Sequence, residues 1–245
     1  MSKITGDLNK LRNQIAALKT KFEHPKNKYQ KQSYSQSGED LIIDFIFTQI
    51  GLAKPSYLDI GAHHPFYLSN TALLYQKGYR GINIEPDKEL FKHFLIYRKG
   101  DINLNCGIGS QAGEMILHVM NSPALNTFSA SEADRLVKEH NFSIVNKITT
   151  PVKTVGFIIQ QYNNGVYPDL LSIDVEGLDE AIIKSIDFSQ SRPTVICLET
   201  ISYSGNGNGI KDDTLISYLT GKGYMVYADT NINTIFILKD KWQNR

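Results

Sequence analysis

From Tyr34 onward, apolar and polar positions alternate between two rhythms. Short apolar runs fall at 57–60, 81–84, 102–106, 170–173, 194–198, 224–228 and 234–238. Their length and bounding turn residues predict buried strands. Helical spacing fills several gaps between them, at 69–77, 88–98, 155–163, 178–187 and 213–221. "GEDLIIDFIFTQIG", residues 38–51, predicts an amphipathic helix with acids in its first turn and Gly51 past its end. Strands alternating with helices predict an α/β fold with a mostly parallel sheet covered on both faces. The last two runs, "YMVYAD" and "NTIFILKD", joined by "TNIN", predict a hairpin and one antiparallel strand. Residues 107–154 break the rhythm. "GIGSQAGEMILHVM" predicts a glycine-rich turn feeding a strand, and "ALNTFSASEADRLVKEHN" a loop and a helix. An insertion there, with the loop "SGNGNG" at 204–209, would wall and cover a substrate.

The first 33 residues follow another period. Ile4, Leu8, Leu11, Ile15, Leu18 and Phe22 are spaced 4, 3, 4, 3, 4. That is a heptad stripe, ended by His24-Pro25. A free helix of this length is marginal in water, so the stripe predicts a partner: a second copy in a homodimer first, or else the chain's own domain. Residues 1–33 are therefore an amphipathic arm with a polar linker, and 34–245 the α/β domain. Charge sharpens the division. Residues 1–33 carry eight Lys/Arg against Asp7 and Glu23, a net +6, and the remainder 18 against 23, a net −5. The basic arm reads as a solvated helix face or a contact for anions, with no nucleic-acid motif.

Composition is that of a soluble protein, 41% hydrophobic and 21% charged over 245 residues. No transmembrane segment is expected, since no apolar run approaches the roughly 20 residues that span a bilayer. The start lacks a signal-peptide core. Cys106 and Cys197 sit in strand-like segments, form no metal motif and suit a reducing, cytoplasmic setting.

The candidate chemistry begins in "YLDIGAHHPFYLSNTALLYQKGYRGINIEPD", residues 57–87. Strand, turn, helix, strand, acid is the opening of a nucleotide-binding domain. A dinucleotide site wants G-x-G-x-x-G, but His63 stands at the second glycine. NAD and FAD are disfavoured. S-adenosylmethionine, with a ribose and no phosphate, fits better. Asp59 at a strand end suits its ammonium. Gly61 and Ala62 make the turn, and Ser69 or Asn70 caps a helix whose N–H groups suit its carboxylate. Glu85 suits the ribose hydroxyls. His64 is the candidate base near the methyl group, with His63 the alternative.

A second acidic pair follows. Asp174 ends the strand of "LLSIDVEGLDEAIIKSI" and Glu199 the strand of "TVICLET". Neighbouring strands would bring them about 4.8 Å apart. Such a pair holds a proton, a divalent cation or a substrate proton. Asp174 is thus a candidate catalytic residue, and Asp174 with Glu199 candidate metal ligands for Mg or Mn.

Taken in order, "YSQSGEDLII", "LDIGAHHPFYLSNT…GYRGINIEP", "SIDVEGLDEAIIKSIDF" and "VICLE" resemble the FkbM-type methyltransferases, a branch of the class I, Rossmann-like group that uses S-adenosylmethionine. The resemblance runs from Tyr34 to about Leu238. It implies a seven-stranded sheet of order 3-2-1-4-5-7-6 and O-methylation of a hydroxyl on a sugar, sugar nucleotide or glycan. It also implies cofactor contacts from Gln36, with Ser35 beside it, from Asp59, Gly61, Asn70 and Glu85, and from the turn 105–108 with Asn105 and Gly107. Asp174 borders the same site. Metal-dependent relatives carry a second acid after the fifth-strand one, where this chain has Thr200. The competing readings are an NAD-dependent sugar oxidoreductase or epimerase, which the lost glycines and the missing Tyr-x-x-x-Lys pair oppose, and a non-catalytic cofactor-binding module that dimerises through its arm.

Overall fold

The computed structural model describes residues 11–14, 28–202 and 209–245. The chain divides into two compact units, Met1–Gln32 and Ser33–Arg245. Residues 11–14 are helical and exposed. The rest of the heptad stripe, and with it the expected dimer contact, lies outside the described residues. So does 203–208, most of the expected covering loop. No described helix is long and apolar enough to cross a membrane.

The larger unit opens with α1 (Glu39–Gln49), β1 (Tyr57–Ile60), α2 (Ala72–Gln76), β2 (Gly81–Ile84), α3 (Lys88–Tyr97) and β3 (Ile102–Leu104). The irregular segment holds β4 (Gly107–Ile108), β5 (Gly113–Met120), a 3-10 turn (Pro123–Leu125), α4 (Ala130–His140) and β6 (Ile144–Lys153). Then come α5 (Val155–Tyr162), β7 (Leu170–Ile173), α6 (Asp179–Lys184), β8 (Val195–Glu199), α7 (Asp213–Gly221), β9 (Tyr224–Asp229), β10 (Asn233–Leu238) and α8 (Lys239–Gln243).

Seven strands form one sheet in the order β3-β2-β1-β7-β8-β10-β9. Only β10 runs against the rest, pairing antiparallel with β8 and β9. Counted along this sheet the order is 3-2-1-4-5-7-6, a Rossmann-like α/β architecture. The central strands are buried on both faces, so their sequences are mostly apolar rather than alternating, with Asp59 and Ser172 as the buried polar exceptions. One face packs Leu58, Ile84, Ile173 and Leu198 against α5, α6 and α7. The other packs Tyr57, Leu170 and Val195 against Ile43, Ile46 and Phe47 of α1 and Leu74 of α2. Each such aliphatic side chain stabilises the fold by roughly 1.5–3 kcal/mol over leaving it exposed.

The insertion has its expected strand, β5, and its expected helix, α4, but β6 and β4 join β5 in a second sheet, β4-β6-β5. The ten-residue β6, "IVNKITTPVK", is largely exposed and polar, which hides it from an apolar search. Pro151 stands just before Val152 and Lys153, the two residues paired with β4. There β6 has a neighbour on one side only, where a strand tolerates proline.

Candidate active site

Parallel strands β1, β2, β7 and β8 end together, and the turns after them line one cleft. Its larger lobe, about 270 Å³, is bordered by Gln36, Asp59, Ala62, Asn70, Ser172 and Glu199. A smaller lobe is bordered by Glu85, Pro86, Cys106, Gly107 and Phe128. Gly61, His63, Asp174 and Glu176 line both, so the two lobes adjoin.

The turn after β1 carries the close approach. Gly61 has φ +76°, and a Cβ there would lie 1.8 Å from the Asp174 carbonyl oxygen. No side chain fits between these two turns. The Gly61 and Ala62 N–H groups both donate to Ile84 O, at 3.1 and 3.0 Å, which fixes the turn on β2. Glu85 then closes it from the other side. Its Oε2 accepts from His63 N and its Oε1 from Asp87 N, each at 2.7 Å. Burial pushes the Glu85 carboxyl up to about 8, against the pull of those two N–H donors.

Asp59 is buried beneath the turn. Its Oδ2 accepts from Thr71 Oγ1 at 2.7 Å. Burial raises its proton affinity, and the hydrogen bond from Thr71 opposes the rise. Asn70 Nδ2 donates to Ser172 Oγ at 3.2 Å, so it is anchored across β1 to β7. Ser69 Oγ accepts from Ala72 N at 3.1 Å, as a helix cap does. That helix, α2, has only five residues, and a macrodipole needs aligned peptides. The expected anion site at its start is therefore weak, a correction to the sequence reading.

The histidines divide. His63 lines both lobes, at φ +54°, and its buried Nδ1 has no hydrogen-bond partner. Burial, then the neighbouring His64, lowers its proton affinity, so the ring favours the neutral form. His64 borders neither lobe. Its Nδ1 accepts from Phe66 N and Tyr67 N at 3.2 and 3.0 Å, so it ties the turn together. The expectation of a catalytic His64 is corrected on that ground. Asn105 also borders neither lobe. Its Nδ2 donates to the carbonyls of Glu85 and Pro86, both at 2.9 Å, and supports the end of β2.

Asp174, Glu176 and Glu199 bring one oxygen each within 4.8 Å of one another. Burial pushes Asp174 up to about 7, with repulsion from Asp179 and Asp59 adding to it. Burial and the nearby Asp174 raise Glu176 and Glu199 well above the ordinary range. Three carboxylates so placed must share protons or hold a cation. Glu176 precedes α6 with φ +53°, and its carbonyl accepts from Thr127 Oγ1 at 2.6 Å. The Gly177 after it is the one sequence signal of a turn. Ser172, also in the wall, is hidden in the apolar run of β7.

Gln36 reaches the cleft because the segment before α1 is tied down. Asp40 Oδ1 accepts from Ser33 and Ser35 hydroxyls at 2.6 and 3.0 Å, and its Oδ2 from Tyr34 N at 2.7 Å. Ser35 is thus a support and does not line the cleft. Glu39 accepts from Ser37 N at 2.8 Å, Thr230 Oγ1 at 2.6 Å and Asn233 Nδ2 at 3.2 Å.

No curated protein matches the chain. Residues 59–226, more than half of it, match the methyltransferase FkbM domain, and they span both lobes of the cleft from Asp59 through Glu199. The protein belongs to the FkbM methyltransferase family.

Proposed function

We propose that the protein transfers a methyl group from S-adenosylmethionine to a hydroxyl of a sugar or glycan. The observation that carries this reading is the cleft itself, with Asp59 and Glu85 in its two lobes, Asp174 and Glu176 on the wall they share, and Glu199 beside them in the larger lobe. The donor set fits the cofactor. Asp59, held by Thr71, matches an ammonium, and Glu85, fixed at both oxygens by backbone N–H groups, matches a ribose diol. Gln36, Ala62 and Asn70 border the larger lobe. S-adenosylmethionine supplies a methyl group already activated by its sulfonium. Alignment is then the main task of the protein, and Asp174 orients the acceptor hydroxyl and takes its proton. A proton affinity near neutral suits that exchange.

The triad also fits a divalent ion, Mg or Mn, since hard cations take carboxylate oxygens. Such an ion would relieve the repulsion among Asp174, Glu176 and Glu199.

Beyond the triad lies an open groove of about 610 Å³ that shares Glu176, Glu199, Ile201 and Ser202 with the cleft or its rim. Glu132, Glu139, Glu180 and Asp212 border it against Arg135 and Lys211. Carboxylates accept hydrogen bonds from sugar hydroxyls and repel a pyrophosphate. This favours an acceptor without phosphate over a sugar nucleotide.

Labelled methyl transfer to a panel of neutral glycans and sugar nucleotides tests the proposal. Asp174→Asn should lower turnover by about 100-fold or more while binding of S-adenosylhomocysteine persists. Unchanged turnover removes Asp174 from catalysis. Full activity of verified metal-free protein in EDTA removes the cation. The heptad arm is proposed as the dimer contact, and a chain lacking residues 1–24 with an unchanged mass in solution would exclude it.

A further inference from the structure

Asp59 stands in a buried polar row that crosses the sheet under the first turn. It pairs in register with Asn83 of β2 and Ser172 of β7, and Asn83 with Asn103 of β3. Above this row lies Arg98, fully buried just past α3. Its Nε donates to Asp101 Oδ2 at 2.8 Å. Its Nη1 donates to Pro65 O at 3.1 Å, in the turn after β1. Its Nη2 donates to Tyr57 Oη, Thr71 Oγ1 and Asn83 Oδ1 at 2.9, 3.1 and 3.3 Å.

The direction of one proton follows. A guanidinium has donors only, so the Thr71 hydroxyl accepts from Arg98. Its single proton is then left for Asp59 Oδ2, 2.7 Å away. On the other side Asn70 Nδ2 donates to Ser172 Oγ, and Ser172 is the register partner of Asp59 on β7. The carboxylate is held by Thr71 at the start of α2 and flanked by Ser172. Arg98 touches neither lobe of the cleft.

We propose that Arg98, acting through Thr71, is a positioning residue that orients Asp59 toward the ammonium of the cofactor's amino-acid end. The proposal rests on the reading that the cleft binds S-adenosylmethionine. It predicts a selective loss. A fold staple would weaken every ligand of the cleft alike, whereas a positioning residue weakens only ligands that carry the ammonium.

The test is calorimetric binding of S-adenosylhomocysteine and of 5′-methylthioadenosine, which lacks the amino-acid end. Thr71→Val should weaken S-adenosylhomocysteine about tenfold, the scale of one hydrogen bond to a charged group. It should leave methylthioadenosine within about twofold, roughly three-tenths of that free-energy change. Thr71→Ser, which keeps the hydroxyl, should restore the wild-type ratio. Arg98→Lys, which loses the fork but keeps the charge, should show the same selective loss and replaces the valine variant if that variant does not fold. Equal losses for the two ligands, or no loss, overturn the positioning role. Wild-type protein that binds neither ligand overturns the cofactor reading itself.

Discussion

Gly61 leaves its neighbours no freedom. A methyl group there would meet the Asp174 carbonyl at 1.8 Å, on a backbone already at φ +76°. Gly61→Ala must push the turns after β1 and β7 apart. We expect a loss of about 3 kcal/mol or more, a large effect for one methyl group, together with loss of cofactor binding. Denaturant unfolding would measure it, and a variant within about 0.5 kcal/mol of wild type would contradict the close approach. Glu85 sets a pH dependence. Its ordinary carboxyl value is 4.5, and burial raises it to about 8 in the fold. The folded protein therefore holds a proton that the unfolded chain has released across that window. By linkage, stability is full below pH 4.5 as far as this group is concerned and falls as pH rises toward 8. The melting temperature of ligand-free protein should drop from pH 5.5 to 8.5, about the span of that window. Glu85→Gln, which cannot ionise, should make the slope shallower, the raised Asp174, Glu176 and Glu199 supplying the remainder, and an equal slope in the variant would assign the dependence to them alone.

At the scale of elements, the first turn of α1 does more than complement a dipole. Glu39 and Asp40 are both fully buried. Burial pushes Glu39 up, yet hydrogen bonds from Thr230, Ser37 and Asn233 leave it below its ordinary value. They tie the segment bearing Gln36 to the hairpin of β9 and β10. Glu39→Ala leaves the Thr230 hydroxyl and the Asn233 amide without that partner, so we expect a loss of roughly 1–3 kcal/mol, the cost of leaving buried donors unpaired. Cofactor affinity should fall with it. A variant that unfolds at the wild-type denaturant midpoint would show that these bonds contribute little. The insertion is tied in the same manner by Thr127, whose hydroxyl donates to Glu176 O. Thr127→Val should cost about 1–3 kcal/mol for one unpaired buried acceptor, and should lower turnover more than it lowers cofactor affinity.

For the whole molecule, the sheet was legible because its strands are buried on both faces and separated by turn residues. All seven apolar runs became its strands, and the terminal hairpin supplied the antiparallel one. The second sheet was not, because β6 is exposed and polar and pairs chiefly with β5, a partner no local pattern names. In the cleft, strand-end acids were legible: Asp59, Glu85, Asp174 and Glu199 all border it. Which of two adjacent histidines faces inward was not, since that depends on φ +54° at His63, a conformation the sequence does not announce. Nor was the buried grip on Asp59, because Arg98 lies 39 positions away along the chain and reads as a surface charge at the end of a helix. The larger unit contains every residue of the cleft. A chain beginning at Ser33 should therefore keep its near-ultraviolet circular dichroism and its affinity for S-adenosylhomocysteine, and loss of either would give the arm a part in the site.

The pairing of Gly107 with Val152 and of Ile108 with Lys153 brings the two ends of the insertion side by side. Everything between them leaves the main sheet and returns to it through one doorway two residues wide. The segment thus hangs from the frame at one place yet reaches back over both lobes, with Ser122, Ala124 and Leu125 on the larger and Leu117, Asn126 and Phe128 on the smaller. Exchanging 109–151 should therefore reshape both lobes at once without lengthening the seven-stranded frame.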